Sequence, residues 1–109
     1  MKIQCKTLQD AQLILGNRAE KKIAGNTKLI RLGPECIGVT FHNTIIIRYN
    51  PEGTVTLDHG GWNSVTTKRR MNQFTNLRVS QNDFCWYVNE VLYMNGINYI
   101  NDKGEYAYA

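Results

Sequence analysis

A chain of 109 residues, 42% hydrophobic and 20% charged, can build one core and is too short for two, so one domain spanning residues 1–109 is expected. Its net charge of +4 is modest, and no segment has the polar bias of a disordered or low-complexity chain. No apolar run approaches the roughly 18 residues of a membrane helix, and Leu13-Ile14-Leu15 is interrupted too soon to be a signal-peptide core, so a cytoplasmic location is expected.

The first third reads as helical. Thr7 can cap a segment that turns Leu8, Ala11, Leu13, Ile14 and Leu15 toward the core, with Gly16 at its C-terminal end. Asn17 can cap a second helical turn through Arg18–Ala24, closed by Gly25-Asn26. From Lys28 the period changes to that of strands. Lys28–Leu32 ends at the turn Gly33-Pro34-Glu35, and Ile37–His42 alternates, with Val39 and Phe41 on one face and Thr40 and His42 on the other. Asn43-Thr44 turns the chain into Ile45–Tyr49. Asn50-Pro51-Glu52-Gly53 is a strong turn signal, after which Thr54–Asp58 returns, giving an antiparallel meander.

Gly60-Gly61 breaks the sheet. Ser64, Thr66 or Thr67 can cap a helix running to about Phe74, with Val65, Met71 and Phe74 inward and Lys68, Arg69 and Asn72 outward. Leu77–Ser80, Phe84–Val88 and Ile97–Ile100 read as closing strands, with turns near Gln81-Asn82-Asp83 and Asn95-Gly96, and Tyr106–Ala109 as a fraying tail. The fold class is therefore α+β: an N-terminal helical segment, an antiparallel meander, one helix after the Gly-Gly-Trp turn and a C-terminal β-hairpin.

Charge is unevenly distributed. Residues 17–31 hold Arg18, Lys21, Lys22, Lys28 and Arg31 against Glu20, and residues 68–78 hold Lys68, Arg69, Arg70 and Arg78 with no acid. Such blocks are often solvated faces, yet they also suit phosphates. Cys5, Cys36 and Cys85 are odd in number and widely spaced, which fits reduced thiols and not a disulfide framework. There is no C-x-x-C and no other short-spaced ligand pair, so neither metal nor cofactor is expected.

The stretch from Gly60 to Asn72 holds the richest chemistry. Gly60-Gly61-Trp62 reads first as a tight sheet-to-helix turn with the indole plugging the core. The same glycines would let a ligand approach backbone N–H groups at the following helix, where Ser64, Thr66 and Thr67 offer hydroxyls to a phosphate. Lys68 and Asn72, four apart, share a helical face, and Arg18 and Lys22 do so if their segment is helical. His42 reads first as a structural imidazole; a hydrolase or nuclease role would need Asp58 beside it. Asp58-His59, Asn63 and Asn72 superficially suggest a hairpin-plus-helix nuclease metal site, but Asn72 is a poor ligand and the spacing is short.

Gly16-Asn17-Arg18, Lys22-Ile23-Ala24, Asn26-Thr27, His42, Thr44, Pro51, Gly53, Gly60-Gly61-Trp62, Thr66-Thr67-Lys68, Arg70, Asn72 and Trp86-Tyr87-Val88 together form a pattern. It resembles a small domain of unknown function found in bacteriophage and prophage proteins. Ile45 stands where that pattern has an acid, Arg69 replaces another acid, and His59 replaces a small residue. The resemblance implies a phage origin and a shared site, and it carries no activity with it. The expectation is a binding protein, not an enzyme, working in the cytoplasm of an infected bacterium. Arg18, Lys22, Lys68 and Arg70 would meet nucleic-acid phosphates, Thr66, Thr67 and Asn72 would orient them, Gly60, Gly61 and Trp62 would shape the site, and His42 would border it. The competing expectation is an inhibitor that binds an acidic host defence or replication protein through the same face.

Overall fold

The structure is a computed structural model and describes residues 4–60, 64–83, 85–93 and 98–100. Helix α1 spans Leu8–Leu15. The Thr7 hydroxyl accepts from Asp10 N–H (3.2 Å), the Asp10 carboxylate accepts from Lys6 N–H (3.0 Å), and Gly16 ends the helix at φ 59°. Ala11 and Leu15 are buried, but Leu13 is 84% exposed, contrary to the expected inward face. Leu13 lies about 200° round the helix from both Ala11 and Leu15 at ~100° per residue, which puts it on the opposite face.

The segment expected to continue as helix is instead strand β1 (Glu20–Ala24), paired antiparallel with β2 (Thr27–Gly33). Gly25-Asn26 is a two-residue hairpin turn, with Asn26 at φ 52°, and it does not cap a helix. Strand β3 (Cys36–Phe41) follows and turns through His42 and Asn43, both at positive φ (51° and 68°), into β4 (Thr44–Tyr49). Positive φ at both central positions matches the right-handed twist of the flanking strands, so His42 belongs to the turn and not to the strand. A single 3₁₀ turn, Pro51–Gly53, leads to β5 (Thr54–Leu57), and β9 (Asn98–Ile100) completes a six-stranded antiparallel sheet in the order β1-β2-β3-β4-β5-β9.

Register divides this sheet into two unlike faces, because residues opposite each other share a face. Leu29, Ile37, Val39, Ile47, Tyr49, Val55, Leu57 and Tyr99 lie in one set of cross-strand pairs and are all buried. A bulge between Val39 and Thr40 leaves Ile46 as the extra residue, which is how two consecutive isoleucines, Ile46 and Ile47, are both fully buried. The other face carries Glu20, Lys22, Lys28, Ile30, Gly38, Thr40, Ile45, Arg48 and Thr56, and most of these side chains reach solvent. Helix α1 packs on β2 and β3, so one face is covered and the other is open.

Ser64 caps helix α2 (Val65–Gln73), its hydroxyl accepting from Thr67 N–H. Met71 and Phe74 are buried as expected, whereas Val65, in the first turn, is 66% exposed. The C-terminal end of α2 is held by two groups distant in sequence. Tyr49 Oη donates to Phe74 O (2.6 Å), and Lys6 Nζ donates to the carbonyls of Asn72, Gln73 and Thr75 at 3.3, 3.2 and 3.0 Å. These bonds satisfy carbonyls that the helix cannot, and they place a cation at the negative end of its dipole. A second sheet follows: β6 (Val79–Asn82), β7 (Cys85–Val88) and β8 (Val91–Leu92). The closing hairpin is β7–β8, turned at Asn89-Glu90, and β9 leaves it to pair with β5. The expected Asn95-Gly96 turn and the tail from Tyr106 lie outside the described residues.

Candidate functional site

The β1–β2 and β3–β4 turns meet at one end of the main sheet, where His42 N–H donates to Asn26 O (3.0 Å). A groove of about 310 Å³ opens there, lined by Lys22, Asn26, Thr27, Lys28, Thr40, His42 and Asn43. Pairing opposite each other, Lys22 and Lys28 put two ammonium groups on the open face. Lys28 also meets Glu20 (Nζ to Oε2, 3.3 Å), an exposed pair worth at most about 1 kcal/mol. The His42 ring lies edge-on to Phe41, with centroids 4.3 Å apart. Thr40 is buried and its hydroxyl donates to Lys28 O (3.4 Å), so it shapes the groove floor. Chemically the groove offers cations beside amide and imidazole groups, a combination suited to an anion.

Of the residues singled out from sequence, Lys22 and His42 come together here. Arg18 is exposed and lies before β1, whereas Lys22 sits midway along that strand, so the two do not share the helical face expected of them. Arg70 borders the groove from behind. Its Nε donates to Thr27 Oγ1 (3.0 Å), Nη1 to Gln73 Oε1 (2.9 Å) and Nη2 to Gly25 O (3.4 Å), which docks α2 onto the β1–β2 hairpin.

Thr67, Asn72 and Lys68 are engaged within the fold. Thr67 is fully buried and bonds the Ser64 hydroxyl (3.0 Å). Asn72 does not look outward: its Nδ2 donates to Val79 O (2.9 Å) and its Oδ1 accepts from Val79 N–H (2.6 Å), tying β6 to α2. The Lys68 ammonium sits 5.4 Å from the Trp86 ring centroid and bonds the Gln81 amide oxygen. Thr66 is half-buried in the first turn of α2. Gly60, at φ 58°, packs so closely on Thr44 that a Cβ would overlap the threonine methyl. Gly61 and Trp62 lie outside the described residues.

Beside Gly60, Asp58 Oδ1 accepts from Gly60 N–H (2.7 Å). His59 stacks on Tyr93 (centroids 5.7 Å apart) and meets Trp86 edge-on (5.4 Å), and Tyr93 in turn stacks on Tyr99. Burial first, and then the nearby Asp58 carboxylate, push the Tyr93 phenol well above its ordinary range. That cluster is packing, and it binds the second sheet to the end of β5. Among the described residues, no group of three His, Cys, Asp or Glu side chains is placed to hold a metal.

Lys28, Asn26, Thr40 and Asn43 escape a reading that takes residues 18–24 as helix. Gly25-Asn26 is the signal that would recover them, since a two-residue hairpin there sets Lys22 opposite Lys28.

No helix of the described residues is long and apolar enough to cross a membrane. No curated protein and no solved structure gives a significant match to the chain. The family model described as Kyanoviridae Gp96 protein matches residues 6–106, from the Lys6 cap through both sheets. The chain therefore belongs to the Kyanoviridae Gp96 protein family and is a small bacteriophage protein.

Proposed function

We propose that this phage protein binds nucleic acid through its backbone phosphates, in the cytoplasm of the infected cell, and catalyses no reaction. The observation that carries the reading is the groove that gathers Lys22, Lys28 and His42 with the amides of Asn26 and Asn43. Cations of this kind contact phosphates whatever the sequence, so they contribute affinity more than base discrimination. Arg70 serves the reading indirectly, by bonding Thr27 and Gly25 of the hairpin that lines the groove, whereas Asn72 and Thr67 serve the fold of α2 and β6.

The test is fluorescence anisotropy with labelled DNA and RNA at two salt concentrations, comparing wild type with Lys22→Ala/Lys28→Ala. Both side chains reach solvent, so the variant should melt like wild type. Affinity that falls with salt, and falls again in the variant with a salt slope smaller by about two, supports the reading. Absence of binding to every probe at low salt refutes it and makes an acidic host protein the partner to seek.

A further inference from the structure

We infer that the nucleic acid taken by this face is double-stranded and is gripped on both sides of a groove, without base readout. The inference rests on the phosphate-binding reading and adds a third cation, Arg48, which is exposed on the same open face. Arg48 is opposite Gly38, which is opposite Ile30, and Ile30 lies two residues along β2 from Lys28. With strands ~4.8 Å apart and a rise of ~3.3 Å per residue, the Cα atoms of Lys28 and Arg48 are roughly 12 Å apart and those of Lys22 and Arg48 roughly 16 Å, with long side chains free to adjust the reach of each cation. The major groove of B-form DNA is ~12 Å wide, so two such positions suit phosphates of its two strands.

What lies between the cations also points to a duplex. Single strands are held largely by aromatic platforms on which bases stack. Among the described residues of the open face there is no Phe, Tyr or Trp; His42 contributes one ring at one end, already set against Phe41. The centre is aliphatic and low. Gly38 has no side chain, and Leu32 and Ile45 close over it, so that a Cβ there would lie 2.9 Å from Leu32 Cδ1 and 3.2 Å from Ile45 Cγ2. Such a surface seats a phosphate-edged cylinder and gives an unstacked base nothing to lie on.

The experiment compares two labelled short duplexes of unrelated sequence with one of their single strands, using wild type and Arg48→Ala. The expected result is duplex binding several-fold tighter than single-strand binding, with the two duplexes equal within about twofold. Loss of one phosphate contact should weaken duplex binding about eightfold at ~0.1 M salt and lower the salt slope by about one. A single strand bound as tightly as the duplex, or Arg48→Ala binding like wild type, overturns the duplex inference while leaving phosphate binding standing. Failure to bind either form overturns both.

Discussion

Replacing Asn72 with alanine separates a structural role from the binding role that its position in the sequence suggests. The amide makes two bonds to the same residue, accepting from Val79 N–H at 2.6 Å and donating to Val79 O at 2.9 Å. Val79 is only 4% exposed, so water cannot easily replace either bond. Two hydrogen bonds at ~1 kcal/mol each, with a further penalty for stranding a buried peptide group, give a loss of about 2–3 kcal/mol. For a chain of this size that lowers the melting temperature by roughly 8–16 °C. Urea unfolding should show a lower midpoint at unchanged slope, because the exposed area on unfolding is the same. Asn72→Asp should not rescue, since it keeps an acceptor for Val79 N–H but sets an oxygen against Val79 O. Nucleic-acid affinity per folded molecule should match wild type. A variant that melts within ~0.5 kcal/mol of wild type yet loses binding would refute this reasoning and return Asn72 to the interface.

Gly60→Ala should cost about 2–3 kcal/mol, from a positive φ and the overlap with the Thr44 methyl, and in a Thr44→Ser background the cost should fall to about 1 kcal/mol in denaturant melts. Tyr49→Phe removes the donor to Phe74 O and should destabilise by about 1–3 kcal/mol by the same measurement. Under native conditions a thiol reagent should modify exposed Cys85 first and Cys36 more slowly, with Cys5 reacting only on unfolding. Burial raises the Cys5 thiol from the ordinary 9.0 to about 11, so the folded protein keeps a proton that the unfolded chain releases. Stability measured by urea melts should therefore fall as pH rises from about 9 toward about 11 and be unaffected by this group below that window.

The elements that sequence places well are those whose signal is local. Thr7 and Gly16 mark both ends of α1, Ser64 is the one of three candidate caps that starts α2, and Asn50–Gly53 separates β4 from β5. Residues 18–24 go astray because Glu-Lys-Lys-Ile-Ala has good helix propensity, and only pairing with β2 overrides it. The candidate site follows the same rule. Lys22 and His42 are visible as polar residues, but that they share a groove depends on two hairpin turns docking at His42 and Asn26, a contact between residues far apart in sequence. Conversely, Asn72 and Arg70 look like surface chemistry until their partners, Val79, Gly25 and Thr27, are known.

The Lys6 cap has a bearing on how the chain is made. Its three acceptor carbonyls lie 66, 67 and 69 residues further along. At a synthesis rate of roughly 5–20 residues per second, several seconds separate the emergence of the lysine from that of the helix end it closes. Throughout that interval the nascent meander holds a finished cation with nothing to cap, and α2, once it emerges, must find an end-group that has been waiting upstream. Met71 and Phe74, on that last turn, belong to the same buried cluster as the meander's inner face, so a ribosome-arrested series should bind an apolar-surface probe until the chain through Phe74 has emerged.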